Sequence, residues 1–404
     1  MLKALRSVVR LRRFERNGAL RRLERASNLE DLRLLAKKRL PGGVFDYIDG
    51  AAEDERTAAR NKQGFAAISF KPRVLRGIES IDTSTELLGR RLPLPLILAP
   101  TGFTRMADSA GELSVARAAE RAGLPYGLST LSTRSIEDVA AVSSGDKWFQ
   151  VYVWRDRDLV DEMLKRAAAC HYSTIILTVD NTVLGRRERD VRRGFTLPPK
   201  IGLDTIFDGL RHPSWTWDFI TSAPIKFANL TESKVGDGSD PVSLATYINS
   251  QLDPSLSWDD LTWLRDRWKG KLVIKGIQSV EDAQLSVDHG VDAIALSNHG
   301  GRQLDDAPAP IDLLPAVAAA LGGQTEIIVD GGVRRGSDIV KAVALGATAC
   351  MVGRPYLYGL GAAGEVGVDF VIDHFANGVE RTLALLGCPS VDDLGPQYLL
   401  ANKH

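Results

Sequence analysis

The sequence predicts a TIM (β/α)8 barrel, because it contains eight short apolar runs of strand length and most are followed by a stretch with helical character. A third observation sets aside the nearest rival. A doubly wound open sheet usually carries a GxGxxG turn after its first strand, and here that place is held by Ala99-Pro100-Thr101-Gly102-Phe103.

Taken in order, the chain opens with a basic extension, residues 1–27. Residues 1–26 carry nine basic residues against Glu15 and Glu24, a local net of +7; because the chain balances 51 basic against 51 acidic residues, the rest carries −7. Leu2, Leu5, Val8, Val9 and Leu11 interleave with the arginines, which reads either as a solvated, fraying helix or as an interfacial helix drawn to anionic lipid.

Strands are expected at Leu96–Ala99, Tyr126–Ser129, Trp148–Val153, Ile175–Asp180, Leu272–Gly276, Ala293–Asn298, Glu326–Asp330 and Ala349–Val352. Helices are expected among the connections, over Gly111–Ala122, Asp158–Ala169, Ser279–His289 and Gly336–Leu345. Spacing is that of ordinary β/α units except between the fourth and fifth runs, where the 91 residues from 181 to 271 exceed any single crossover helix. An insertion at about 190–255 is therefore expected within a single domain spanning 1–404. Its middle holds Pro198-Pro199, Trp215, Trp217 and Phe219 and reads as an active-site lid, a disordered loop, or an apolar surface for a membrane or partner. Near its end, Leu261, Leu264 and Trp268 share one helix face, as ordinary barrel packing requires.

The composition, 44% hydrophobic and 25% charged, suits a soluble chain with a large core. The balanced net charge gives no field that implies nucleic acid. Cys170, Cys350 and Cys388 are odd in number, far apart and outside any CxxC spacing, which argues for a reducing compartment and against a disulfide framework or a zinc site. No run approaches the roughly 18 apolar residues of a membrane span, and the first residues lack a secretory core. A cytoplasmic protein is expected, with peripheral contact at the inner face of the cell membrane left open.

Chemistry gathers at the C-terminal ends of the runs, where parallel barrels place their sites. The sixth run leads into Ser297-Asn298-His299-Gly300-Gly301-Arg302-Gln303-Leu304-Asp305, which sets a possible proton acceptor and a carboxylate-binding cation three residues apart. Asp180 ends the fourth run and Lys275 the fifth, each a charge in an apolar context that needs a partner. Gln150 and Tyr152 share a face of the third. The loops after the seventh and eighth runs, Asp330-Gly331-Gly332-Val333-Arg334 and Gly353-Arg354, combine glycines, arginines and a helix start, and together suit a phosphate.

These residues resemble the FMN-dependent α-hydroxy acid dehydrogenases and oxidases. The resemblance runs from Leu40-Pro41 and Phe45-Asp46-Tyr47 to Leu386-Gly387-Cys388, and Ser297–Asp305 is similar to the family signature. It implies that His299 is the active-site base with Asp180 paired to it, and that Arg302 and Arg187, helped by Tyr47, grip a substrate carboxylate. It implies Tyr152 beside the substrate hydroxyl and Lys275 at the flavin N1/C2 carbonyl edge. Further FMN contacts are implied for Pro100, Thr101, Gly102, Ser129, Gln150, Thr178 and Ser297, with the phosphate on Asp330, Gly331, Gly332, Val333, Arg334, Gly353 and Arg354.

The implied reaction turns an L-2-hydroxy acid into a 2-oxo acid, with L-lactate first and mandelate or another aryl or longer-chain acid next. Leu131 stands where glycolate oxidases commonly carry tryptophan, which weakens glycolate; Gly102 stands where many oxidases carry alanine, which favours a dehydrogenase. The resemblance is strongest to bacterial lactate and mandelate dehydrogenases, which implies a quinone or cytochrome acceptor, with oxygen as the alternative. It also implies a membrane-contacting insertion and a homo-oligomer, often a tetramer. A flavin-assisted isomerase or an inactive binding protein could use the same barrel, but the full set of His299, Asp180, Arg187, Arg302, Tyr47 and Tyr152 argues against both.

Overall fold

A computed structural model describes residues 15–193, 203–230 and 250–400. An antiparallel hairpin, β1 (Thr85–Leu87) and β2 (Arg90–Leu92), precedes eight barrel strands. These are β3 (Leu96–Leu98), β4 (Tyr126–Ser129), β5 (Lys147–Val151), β6 (Thr174–Thr178), β7 (Lys271–Ile277), β8 (Ala293–Ser297), β9 (Glu326–Asp330) and β10 (Ala349–Val352). All eight pair in parallel and in chain order, and β10 closes onto β3 with Cys350 opposite Leu96. The barrel expected from the eight runs is therefore present.

Side chains alternate along a strand, so closure sends every second residue inward. The interior is filled by Ile97, Ala99, Trp148, Ile176, Val273, Ala293, Ala295, Ile328, Ala349 and Met351. Outward residues such as Leu98, Phe149, Leu177, Ile274, Leu296 and Val329 pack in a second, larger core against the helices. Leu87 and Leu92 of the hairpin join the interior cluster. Leu88 N–H donates to the Glu326 carboxylate at the first residue of β9, so the hairpin plugs the N-terminal end and leaves the other end for a site.

Two strands stop two residues earlier than their apolar runs suggest, β5 at Val151 and β6 at Thr178, so Tyr152 and Asp180 lie just past the ladder. The N-terminal region is more built than a free basic extension. Residues 1–14 lie outside the described part. From Gly18 onward the chain forms helices Gly18–Leu23, Leu29–Arg39, Gly42–Asp49 and Arg56–Ala67, two of them capped by Asn17 and Asn28. Leu23 is buried and Arg22 Nε donates to Ala362 O at 2.7 Å, which docks the first helix on the barrel surface.

Of the insertion, residues 194–202 and 231–249 lie outside the described part. The rest contains helices Glu188–Arg192, Leu203–Arg211, Pro213–Thr221 and Asp260–Arg267. Residues 213–230 are strapped to the barrel: Trp215 Nε1 donates to Met106 O at 2.8 Å, and Ser109 Oγ to Asp218 at 2.6 Å. Asn229 Nδ2 donates to Ser132 Oγ at 2.9 Å. Leu261, Leu264 and Trp268 are buried on one face, as their spacing predicts.

Trp148 is 1% exposed inside the barrel. Trp148→Ala should cost about 3–5 kcal/mol, read as a lowered urea midpoint; a loss below about 1 kcal/mol would mean that the interior does not hold the barrel together.

Candidate active site

The inward parity continues past the apolar layers and assembles the site. Two residues beyond Trp148, Ile176, Val273, Ala295 and Ile328 stand Gln150, Thr178, Lys275, Ser297 and Asp330, all buried. Two further on, Tyr152, Asp180 and His299 leave the strand ends. A cavity of about 580 Å³ opens here, within the range of ligand sites.

Lys275 cannot stand unpaired in that polar layer. Its Nζ lies 2.7 Å from Asp330 Oδ2 and donates to Ser297 Oγ at 2.9 Å, while Ser297 Oγ donates to Asp330 Oδ2 at 2.7 Å. Burial pushes the ammonium down, but Asp330 and Asp180 push it up by more, so Lys275 stays a firm cation. Ser297 Oγ also accepts from His299 N–H at 3.0 Å, which ties this layer to the loop above.

His299 (φ 57°), Gly300 (66°) and Gly301 (77°) are three consecutive left-handed residues. Glycine takes that conformation freely and histidine does not, so the surroundings must fix it. His299 Nδ1 lies 3.0 Å from Asp180 Oδ1. With a proton on Nδ1 for that bond, Nε2 of the neutral ring is an acceptor. Burial raises the Asp180 carboxyl, and His299 and then Lys275 more than offset this and hold it below the usual range. Gln303 Nε2 donates to Asp180 O at 3.1 Å, and Gly185 N to Gln303 Oε1 at 2.9 Å, which joins the loops after β6 and β8.

Arg302 donates through Nη1 to the carbonyls of Tyr47 (2.7 Å) and Gly50 (3.0 Å) and lies 5.0 Å over the Tyr47 ring. Arg187 lies 5.7 Å over the same ring and 3.2 Å from Asp190. Burial, and then Arg187, push the Arg302 guanidinium down to about 9, which leaves it charged at neutral pH. Two cations on one ring with one carboxylate beside them favour an incoming anion. Burial, and then Asp180, push the Tyr152 hydroxyl far up, so it stays protonated.

After β9, Gly331 (φ 124°) and Gly332 (φ 86°) turn in conformations that suit glycine. After β10, Arg354 donates to the carbonyls of Ile48 (3.1 Å), Gly300 (2.7 Å) and Gly50 (2.6 Å). The cavity is lined by Tyr47, Pro100, Thr101, Gly102, Ser129, Gln150, Tyr152, Thr178, Arg187, Lys275, His299 and Arg302, and by Asp330, Gly331, Gly332, Val333, Arg334, Gly353 and Arg354. Of the residues singled out in the sequence, only Asp180 and Ser297 stand back from it, behind His299 and Lys275. Trp154, Asp190, Phe227 and Leu252 are among the lining residues that the sequence reading did not assign to the site.

The description of the FMN-dependent dehydrogenases matches residues 36–401. The chain belongs to that family. It is 49% identical over 380 residues to a Mycobacterium tuberculosis protein with the provisional name L-lactate dehydrogenase, covering 94% of this chain and 90% of the relative. It is 43% identical over 372 residues to (S)-mandelate dehydrogenase of Pseudomonas putida, covering 92% and 93%. A crystal structure of the monotopic membrane protein (S)-mandelate dehydrogenase superposes with a TM-score of 0.89 at 43% identity, over 93% of this chain and 99% of that one. The chain is thus an FMN-dependent 2-hydroxy acid oxidoreductase.

The residues present fit FMN. Gln150 Oε1 accepts from Ser129 Oγ at 3.0 Å and Thr130 N at 3.3 Å, while Gln150 Nε2 and Thr178 Oγ1 are buried with no protein partner among the described residues. Both side chains line the cavity and offer the donors that a flavin ring edge takes. Lys275 adds a cation at the same level. The glycines 331–332 and Arg334, with Gly353 and Arg354 beside them in the cavity lining, suit the phosphate.

The loop that carries Arg187 is clamped through Asp49, which lies 2.8 Å from Arg189 and 2.6 Å from Arg33 and accepts from Tyr358 Oη at 2.8 Å. Burial raises the Asp49 carboxyl, but the bonds from Arg33 and Tyr358 hold it well below its ordinary 3.8. A depressed carboxyl adds stability above its unfolded pKa and loses it as pH falls. Asp49→Asn should therefore cost about 1–3 kcal/mol at pH 7, discounted because both arginines are partly exposed. The gap to wild type in urea unfolding should narrow below about pH 4, and a gap independent of pH would remove the ion-pair account.

Proposed function

We propose that this chain oxidises L-lactate to pyruvate, with an aryl or longer-chain L-2-hydroxy acid as the second candidate, and passes the electrons to a quinone or a cytochrome. The observation that carries the reading is the meeting, in one cavity, of a His299–Asp180 pair with Arg302 and Arg187. The names of the relatives support both substrates.

The substrate enters as an anion. Arg302 and Arg187 bind its carboxylate with charge-assisted bonds, which orients the α-carbon, and Tyr47 completes that grip. Tyr152, held as a phenol, donates to the hydroxyl. His299 Nε2 takes the proton released on oxidation, and Asp180 stabilises the imidazolium. FMN, when bound, would supply the acceptor for the two electrons and the second proton. Lys275 would set a fixed positive charge beside one edge of its ring, and Gln150, Thr178, Ser129 and residues 100–102 would hold the rest.

The aryl alternative has its own support. Phe227 packs edge-on against Phe103 at 4.5 Å, and both line the cavity with Leu131, an apolar wall larger than a methyl group needs.

Anaerobic addition of L-lactate, L-mandelate and glycolate to the FMN-loaded protein should bleach the flavin band, fastest with L-lactate, and air should restore it slowly. Bleaching by none of the three would remove the 2-hydroxy acid assignment, and fast recovery with peroxide would make oxygen the acceptor.

A membrane acceptor fits the exposed apolar side chains of the insertion: Phe207, Leu210, Trp217 (72% exposed) and Ile220 (71%). No helix among the described residues is long and apolar enough to cross a membrane, so contact would be peripheral. The pair Trp217→Ser and Ile220→Ser should lower co-sedimentation with anionic vesicles while leaving bleaching by substrate unchanged. Full vesicle binding by that variant would refute contact through these helices.

A further inference from the structure

Asn61 lies on helix Arg56–Ala67, outside the barrel, and is 2% exposed. Its carboxamide faces that of Asn298, the residue before His299. Asn61 Nδ2 donates to Asn298 Oδ1 at 2.8 Å, and Asn298 Nδ2 donates to Asn61 Oδ1 at 2.7 Å. Asn298 is thereby fixed to build the turn: its Oδ1 also accepts from Gly301 N at 3.1 Å, and its Nδ2 donates to Pro308 O at 2.9 Å. The bonded span 298–301 contains the three left-handed residues, so the amide pair is what the unfavourable His299 backbone leans on.

The other side of Asn61 meets the glycine pair after β9. A Cβ at Gly332 would come 2.1 Å from the Asn61 backbone carbonyl oxygen, and one at Gly331 would come 3.2 Å from Asn61 Nδ2 and 3.5 Å from Asn298 Oδ1. The amide pair therefore lies against both the loop of the base and Gly331, while Gly332 packs on the Asn61 backbone. The same helix is pinned at its start, where Asp305 Oδ1 accepts from Thr57 N at 2.8 Å, so the helix cannot slide to relieve a misfit.

We propose that Asn61 is a positioning residue that sets the His299 loop and the glycine cradle at 331–332 in one register, so that holding FMN and orienting the base are coupled. This rests on the reading of His299 as the proton acceptor. Neither substrate arginine touches Asn61. The expected signature is therefore a loss in kcat and in FMN affinity, with KM for the hydroxy acid nearly unchanged.

The test uses Asn61→Ala and the milder Asn61→Ser, which keeps a neutral hydroxyl on the face toward Asn298. FMN affinity is read from the quenching of flavin fluorescence on reconstitution, and kcat and KM from steady-state reduction at saturating FMN. Removing two of the four bonds that fix the Asn298 amide should weaken FMN binding about tenfold and lower kcat about tenfold in Asn61→Ala, with KM within about twofold. Asn61→Ser should fall between that variant and wild type, and serves alone if Asn61→Ala does not fold. A variant with a lowered melting temperature but wild-type FMN affinity and kcat would overturn the proposal. His299→Gln separates the two readings. If it keeps near-normal reduction, His299 is not the base; the FMN-binding arm still judges Asn61, and unchanged binding there rejects its hold on the cradle.

Discussion

Closing eight parallel strands into a barrel forces every second side chain inward, and the rest of this molecule follows from that constraint. At the plugged end the inward residues are apolar and fill the interior, from Trp148 to Met351. At the open end the same parity delivers Gln150, Thr178, Lys275, Ser297 and Asp330 to one level. A polar residue placed one position earlier would instead face the helices, where Phe149, Leu177, Ile274, Leu296 and Val329 need an apolar neighbour. The reactive layer is thus stacked directly on the stable one.

That stacking is possible because the polar layer satisfies itself. Lys275, Ser297 and Asp330 form a closed triangle of contacts between 2.7 and 2.9 Å, so a buried cation is retained without a solvent partner. Ser297 then passes this order to the His299 loop through its bond to the backbone. Gln150 and Thr178 differ in kind, since each keeps a polar atom that the protein does not pair. A fold that pairs its other charges at this level and leaves donors toward one cavity is organised for a ligand rather than for stability.

The barrel was legible because its signals are local. Each apolar run needs only its own residues to be recognised, and the glycine, histidine and arginine spacing of 297–305 lies within one loop. Asp330 was legible only as part of the phosphate loop; that it pairs with Lys275, 55 positions earlier, is a property of the closed sheet. Asn61 could not be read at all. Its partner is 237 positions away, and a lone asparagine in a helix of mixed polarity carries no periodic signal. Phe227 and Asp190 were hidden for a related reason, since they reach the cavity from an insertion whose path the barrel pattern does not dictate. The hairpin at 85–92 was missed because three-residue strands are too short for alternation to stand out. Asp305, which looks chemical within its motif, instead receives the N–H groups that open helix Arg56–Ala67.

The electrostatics of the cavity imply an order of events. Before a substrate arrives, Arg187 leans on Asp190, while Arg302 donates to carbonyl oxygens and lies over the face of Tyr47. A carboxylate about 4 Å from such a guanidinium gains about 4 kcal/mol at an effective dielectric near 20, so the anionic end would dock first and the apolar end would follow into the space beside Leu131 and Phe227. With the carboxylate in place, the arginines no longer present unbalanced positive charge to the histidine. Asp180, ionised and sealed behind the ring, would then hold the new imidazolium at 3.0 Å. On the reading of His299 as the base, a proton would therefore arrive beside a carboxylate already placed to balance it.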